Sequence, residues 1–139
     1  MKYYAVIDTN VVVSAFLKNN SVPDTVLDLA LTGIIIPLLN DDIVKEYREV
    51  LSREKFGLDK TIVDDFISEI SSRAIFVNAE SIDIALPDVK DKVFFEIVME
   101  KRKSSDAYLV TGNIKHFPIE PFIVTPREML ELIVKDSEE

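Results

Sequence analysis

Three acidic residues stand where an alternating strand–helix chain could put them to use. Asp8 follows directly on the apolar run Tyr3–Ile7, with Thr9 and Asn10 next in line. A charge at the end of a strand either caps the following helix or faces whatever binds at that edge of the sheet. Glu46 lies on a segment whose apolar face is Ile43, Tyr47, Val50 and Leu51. At helical spacing it falls between Ile43 and Val50, on the rim of that face, while Lys45, Arg48 and Glu49 point elsewhere. Asp88 and Asp91 precede an apolar helix containing Phe94, Phe95, Val98 and Met99. Capping, for which Asp91 is well placed, accounts for one of these two acids and not for both. A further apolar run, Ala107–Val110, has Asp106 before it and Thr111, Gly112 and Asn113 after it.

Carboxylates that meet at one place repel, and each favours its neighbour's protonation. If Asp8, Glu46 and Asp91 meet, they need a cation, and no lysine or arginine is evidently placed to supply it. The chain has no cysteine and a single histidine, His116. Thiolate sites and histidine-rich zinc sites are therefore excluded, and oxygen ligands select magnesium or manganese. Asp8 and Asp91 are expected to hold such an ion directly or through water, and Glu46 to position an ion-bound water. His116 reads as a loop residue, which leaves proton transfer to water or a carboxylate. Lys115 and the triplet Lys101-Arg102-Lys103 could grip a backbone, although a basic triplet at a helix end is explained by the helix dipole alone.

The elements that must bring these residues together follow from periodicity. Tyr3–Ile7, Ile34–Ile36, Ala74–Val77, Ala107–Val110 and Phe122–Val124 read as strands. Helices are expected over Val11–Leu17 with Asn10 as cap, Val22–Leu31 ended by Gly33, Asn40 to Leu51, Lys60–Ser72, Asp91 to Lys103, and onward from Pro126. The acidic end, Lys135–Glu139, reads as a frayed tail. Such alternation specifies an α/β fold, a three-layer α/β/α domain with a Rossmann-like parallel sheet of about five strands. The 139 residues, 47% hydrophobic and 29% charged, suit one domain over 1–139. A formal charge of −9 argues against a broad basic surface for nucleic acid. The N-terminal apolar run is too short for a signal peptide, and no stretch reaches membrane-spanning length, so a cytoplasmic protein is expected.

Taken in order, four segments resemble a known family. They are Val6-Ile7-Asp8-Thr9-Asn10-Val11, Val44-Lys45-Glu46-Tyr47, Pro87-Asp88-Val89-Lys90-Asp91-Lys92-Val93-Phe94 and Tyr108-Leu109-Val110-Thr111-Gly112-Asn113. The ordered set is similar to the PIN domains, and most of all to bacterial toxin-like PIN nucleases of toxin–antitoxin type. The resemblance implies a metal-dependent ribonuclease acting on single-stranded RNA. Asp8, Glu46 and Asp91 match the acids of its metal centre, and Thr9 and Asn10 the polar residues supporting the first. Asn113 stands where a fourth acid is common, so the second metal of that family has no obvious ligand here. Asp106 is offset by one residue from another frequent acid, which in a strand means the opposite face. With Asp88 and Thr111 these complete the supporting set.

The resemblance also implies partners: an RNA substrate, an antitoxin protein and a second copy of the chain, with no membrane. Other α/β enzymes fit less well. A haloacid-dehalogenase-type phosphatase needs a second aspartate where Asn10 stands, a receiver domain needs an acid where strand three ends in Asn78, and a dinucleotide site needs glycines absent from Asp8-Thr9-Asn10. A different class remains open, a catalytically weak or dead module of the same fold that binds a protein partner. The neutral Asn113 is its support.

Overall fold

Five apolar runs form one sheet: β1 Tyr3–Ile7, β2 Ile35–Leu39, β3 Ile75–Phe76, β4 Ala107–Val110 and β5 Ile123–Val124. In this computed structural model, which describes residues 2–138, all strand pairs are parallel and the order is β3-β2-β1-β4-β5. Six helices fill the crossovers and close the chain: α1 Thr9–Leu17, α2 Val22–Thr32, α3 Asp41–Leu51, α4 Lys60–Arg73, α5 Lys92–Arg102 and α6 Pro126–Ser137. Ala5, Val6 and Ile7 are buried in succession, as are Leu38 and Leu39, and Leu109 and Val110. Neighbouring strand residues face opposite sides, so both faces of the sheet are covered and the three expected layers are present. Helix α5 packs along β1, β2 and β4, while α2 and α4 lie against β2, with α1 and α6 packed on α2.

Local signals set the helix ends. Gly33 takes φ 95° at the end of α2, a left-handed conformation that glycine adopts without strain. Asn40 Oδ1 accepts from the Ile43 N–H at 2.9 Å and starts α3, the helix that carries Glu46. Thr125 and Glu128 form a reciprocal capping box on α6, a pattern legible in Thr125-Pro126-Arg127-Glu128.

Three boundaries differ from expectation. Strand β2 continues through Pro37 to Leu39 instead of ending at Ile36. Ile34 O accepts from the Tyr3 N–H, and Leu39 O accepts from the Val77 N–H. By alternation, Pro37 turns its missing donor toward β3, whose pairing begins only at Leu38. Strand β3 keeps two residues of the expected Ala74–Val77, and as an edge strand it leaves Phe76 51% exposed rather than buried. The expected fraying from Lys135 does not occur, because α6 continues through Ser137 and Tyr3 Oη donates to Asp136 Oδ2 at 2.8 Å. Glu139, the end of that tail, lies outside the described residues.

Candidate active site

The order β3-β2-β1-β4-β5 reverses direction between β1 and β4, and open parallel sheets bind ligands at the carboxyl ends of their strands at such a point. Asp8 leaves β1 there, its N–H donating to Val110 O at 2.9 Å, and Thr111 leaves β4 beside it. Asp8 occupies the cap position of α1, yet its side chain makes no capping bond. The carboxylate is 4% exposed and is held from the β4 side. Thr111 Oγ1 donates to Asp8 Oδ2 at 2.8 Å, and Asn10 Nδ2 donates to the same oxygen at 3.2 Å.

Asn10 is thus not the cap expected of it. Helix α1 begins two residues earlier than expected, at Thr9, and Asn10 lies in its first turn. There its amide bridges two strand ends, since Asn10 Oδ1 also accepts from the Gly112 N–H at 3.0 Å. A Cβ on residue 112 would stand 3.3 Å from that oxygen, so glycine permits the approach. The buried Thr111 hydroxyl in turn accepts from the Asn113 N–H at 3.0 Å. The whole Thr111-Gly112-Asn113 turn is therefore tied to Asp8, a stronger role than a generic turn.

Glu46 reaches the same edge from α3. Its Oε2 accepts a short hydrogen bond from Thr9 Oγ1, which fixes Thr9 as a link between the first two acids. The next residue, Tyr47, is buried and donates from its hydroxyl to Ile7 O, anchoring α3 to the end of β1. Burial pushes the Tyr47 phenol well above its ordinary range, and the charges of Asp8 and Glu46 push it further.

The two acids of the third segment divide the work differently from expectation. Asp88 is the cap: its Oδ1 accepts from the Lys90 N–H at 2.9 Å and opens a 3₁₀ turn over Val89–Asp91. Asp91 makes no capping bond at the start of α5 and is buried at the cleft. His116 Nδ1 lies 3.0 Å from Asp91 Oδ2. His116 is thus a site residue and not a bystander in a loop. The 3₁₀ turn Ile114–His116, separated from β4 by three residues, is what brings the ring to Asp91, and no sequence pattern marks it.

These side chains line one open cleft of about 690 Å³. Its acids are Asp8, Asp42, Glu46, Glu49, Asp88 and Asp91; its cations are Lys45, Arg53 and Lys90, with Asn10, Asn113 and His116 between them. Two expectations are corrected here. Lys45 and Glu49 face the cleft, because the side of α3 turned to it is wider than the apolar face suggests; only Arg48 turns away, to Asp64. Lysine and arginine are also present in the cleft. Two expected residues are absent from it. Asp106 is exposed at the amino end of β4, the opposite edge of the sheet. Lys115 lines a separate pocket with Phe117 and Pro118. The basic triplet is used structurally: Lys101 Nζ sits 4.5 Å over the Tyr4 ring, Arg102 Nη1 donates to Ala107 O at 2.8 Å, and Lys103 pairs with Glu100.

Electrostatics show how closely the acids sense one another. Burial pushes the Asp8 carboxyl up from its ordinary 3.8 to about 6; the Thr111 hydrogen bond opposes this, and the charges of Asp91 and Glu46 add to it. Asp91 is also raised, first by burial; the His116 contact opposes this and the Asp88 charge adds to it. Among the described residues, no three His, Asp or Glu side chains close into a group that could hold a metal ion. The three acids share a cleft without forming the three-ligand centre expected of them. Their donor set nevertheless fits magnesium, which keeps several waters and is commonly held by one or two carboxylates.

The PIN domain profile matches residues 4–115. An uncharacterized protein of Methanocaldococcus jannaschii is 29% identical over 117 residues, covering 81% of this chain and 72% of that protein. The profile runs from β1 to the turn after β4 and takes in every acid of the cleft. No helix among the described residues is long and apolar enough to cross a membrane. With its strand order, its cleft and this match over most of its length, the chain belongs to the PIN domain family, whose members are typically metal-dependent nucleases.

Proposed function

We propose that this protein is a magnesium- or manganese-dependent endoribonuclease that hydrolyses phosphodiester bonds of single-stranded RNA, acting in the cytoplasm as the toxin-type component of a pair with an antitoxin protein. The observation that carries the catalytic part is the position of Asp8: buried at the strand-order reversal, where that burial, with the nearby charges of Asp91 and Glu46 adding to it, pushes its carboxyl up to about 6. A protein keeps such a group at the cost of metal-free stability, and a cation relieves it.

Asp8 and Asp91 are the residues that would hold the ion. When bound, a hard divalent cation supplies positive charge to a scissile phosphate and acidifies a water. The chain's own residues do the rest. Thr111 and Asn10 fix one oxygen of Asp8, and His116 fixes one oxygen of Asp91. Thr9 holds one oxygen of Glu46, leaving the other to orient a water and take its proton. Asn113 lines the cleft as a neutral hydrogen-bonding group. The neutral residue, with no three-ligand cluster among the described residues, favours one other reading, a weak or inactive module that binds a protein.

Cleavage of single-stranded RNA by wild type and by Asp8→Asn from parallel preparations, with manganese and with EDTA, separates the two. Metal-dependent cleavage by wild type alone supports the nuclease. Equal cleavage by both proteins is contamination, and no cleavage by either moves the binding module ahead.

A further inference from the structure

Lys45 and Glu49 stand four residues apart on α3, and Arg53 lies in extended chain two residues beyond the end of that helix at Leu51. Side chains four apart on a helix are neighbours, and opposite charges there ordinarily pair. The chain does this elsewhere: Lys60 with Asp64, and Arg73 with Glu69. Lys45 and Arg53 do not. Both line the cleft, and among the described residues neither makes an ion pair or side-chain hydrogen bond, although Asp42, Glu46 and Glu49 lie on the same wall. Arg48, between them in sequence, turns to the other side of α3 and pairs with Asp64. In a chain with 25 acidic and 16 basic residues, unneutralised cations facing one cleft mark where an anion is missing. Lys45 on α3 and Arg53 in the extended chain just after it are two such points lining the same cleft.

We propose that Lys45 and Arg53 form a phosphate track that carries the substrate strand past α3 and the chain just beyond its C-terminal end, in the same cleft as the acids that do the chemistry. This rests on the nuclease reading above and specifies how the strand is held. The track has a condition built in. Six acids outnumber the three lysine and arginine side chains lining the cleft. A polyanion is repelled until the central carboxylates are neutralised, so the strand and the divalent ion should enter together. The contacts are to backbone phosphate, so binding should vary little with base sequence.

The test is binding of a short fluorescein-labelled single-stranded RNA to the full chain, read by anisotropy in magnesium, with salt titrated and strand integrity checked on a gel. Wild type is compared with the double variant Lys45→Gln/Arg53→Gln and with Arg48→Gln as a control on the outer side of α3. Both track residues are exposed, so the variants should fold. Losing two phosphate contacts should lower the slope of log affinity against log salt by about 1.4 for a single strand. Between about 50 and 200 mM salt, wild-type affinity should then fall roughly sevenfold more than that of the double variant. Arg48→Gln should behave as wild type, and EDTA should weaken binding by wild type. If wild type binds and cleaves but the double variant keeps the same affinity and salt slope, the track is wrong and the nuclease reading stands. If wild type neither binds nor cleaves RNA, the nuclease reading itself falls.

Discussion

The two ends of the sheet treat charge in opposite ways. At the amino edge, charged and phenolic groups have partners that lower their energy. Tyr3 donates to Asp136, Lys101 covers the Tyr4 ring, and Arg102 bonds Ala107 O while lying 4.2 Å from the centre of the Phe122 ring. At the carboxyl edge, like charges crowd. Burial and the nearby charges of Asp91 and Glu46 push the Asp8 carboxyl up, and among the described residues Lys45 and Arg53 have no ion-pair partner in that cleft. Hydrogen bonds from Thr111, Asn10, Thr9 and His116 fix the acids' positions without supplying a full countercharge. The amino edge is arranged for stability, and the carboxyl edge for a charge that arrives from outside.

The sharpest way to break this comparison is through activity. Asp8→Asn and Asp91→Asn keep side-chain shape and remove one negative charge each. Each should lower metal-dependent cleavage at least about 10²-fold, the scale of losing a main electrostatic element of a site. The check is initial rate at saturating manganese. Variants that retain most of the wild-type rate would mean that the crowding at this edge has no catalytic use.

Stability gives the second test, with the opposite sign. The Asp8 carboxyl binds its proton more tightly folded than unfolded, 3.8 rising to about 6. Its contribution to folding is therefore complete below about pH 4 and is lost as pH rises through about 6. The displacement corresponds to about 3 kcal/mol. In EDTA at pH 7, Asp8→Asn should melt several degrees above wild type, and the gap should shrink at pH 4. Magnesium should raise the melting temperature of wild type more than that of the variant, because binding to the folded state alone stabilises it. A gap independent of pH would show that repulsion at Asp8 is not its source.

How much of this was legible depended on whether a residue's role was set by its own neighbours in sequence. Asp8 and Thr111 could be placed because each directly follows an apolar strand, and a parallel sheet brings such ends together. Asn40 and Gly33 declared themselves by local capping chemistry. Asn10 was expected to cap α1 because it is a good cap residue; of Asp88 and Asp91, which one caps depends on the turn geometry at Asp88, which has no sequence period. Lys45 and Glu49 were misplaced because helical periodicity finds the face turned to the core and says nothing of which flank borders a cleft. His116 was passed over because its partner Asp91 lies 25 residues away in the chain. Asp106 was read as preceding β4 and does so, and that position puts it at the amino edge of the sheet, away from the cleft.

The amino edge supplies the third test. Arg102→Gln removes a hydrogen bond to Ala107 O and a cation stacked on Phe122. It should cost about 1 kcal/mol of stability and leave the cleavage rate unchanged. The readouts are a melting curve and the same initial-rate assay. A large rate loss with little change in melting would mean that the two edges are coupled through β4, and the division between them would not hold.

The smallest effect is expected from a methyl group, and it separates position from stability most finely. Gly112→Ala places a Cβ 3.3 Å from Asn10 Oδ1, which must give way by a few tenths of an ångström. Asn10 also donates to Asp8 Oδ2 at an already long 3.2 Å, so its movement falls on the bond that orients the acid. Gly33→Ala is the matched control. Nothing lies within 4 Å of its Cβ, but the residue has φ 95°, so the substitution strains the backbone far from the cleft. Gly33→Ala should therefore lower the melting temperature, with a cost of about 1 kcal/mol, and spare the rate. Gly112→Ala should do the reverse, with nearly unchanged melting and a rate reduced severalfold. If both glycine variants lose stability and neither loses rate, Asn10 is a structural bridge between β1 and β4, and the orientation of Asp8 rests on Thr111 alone.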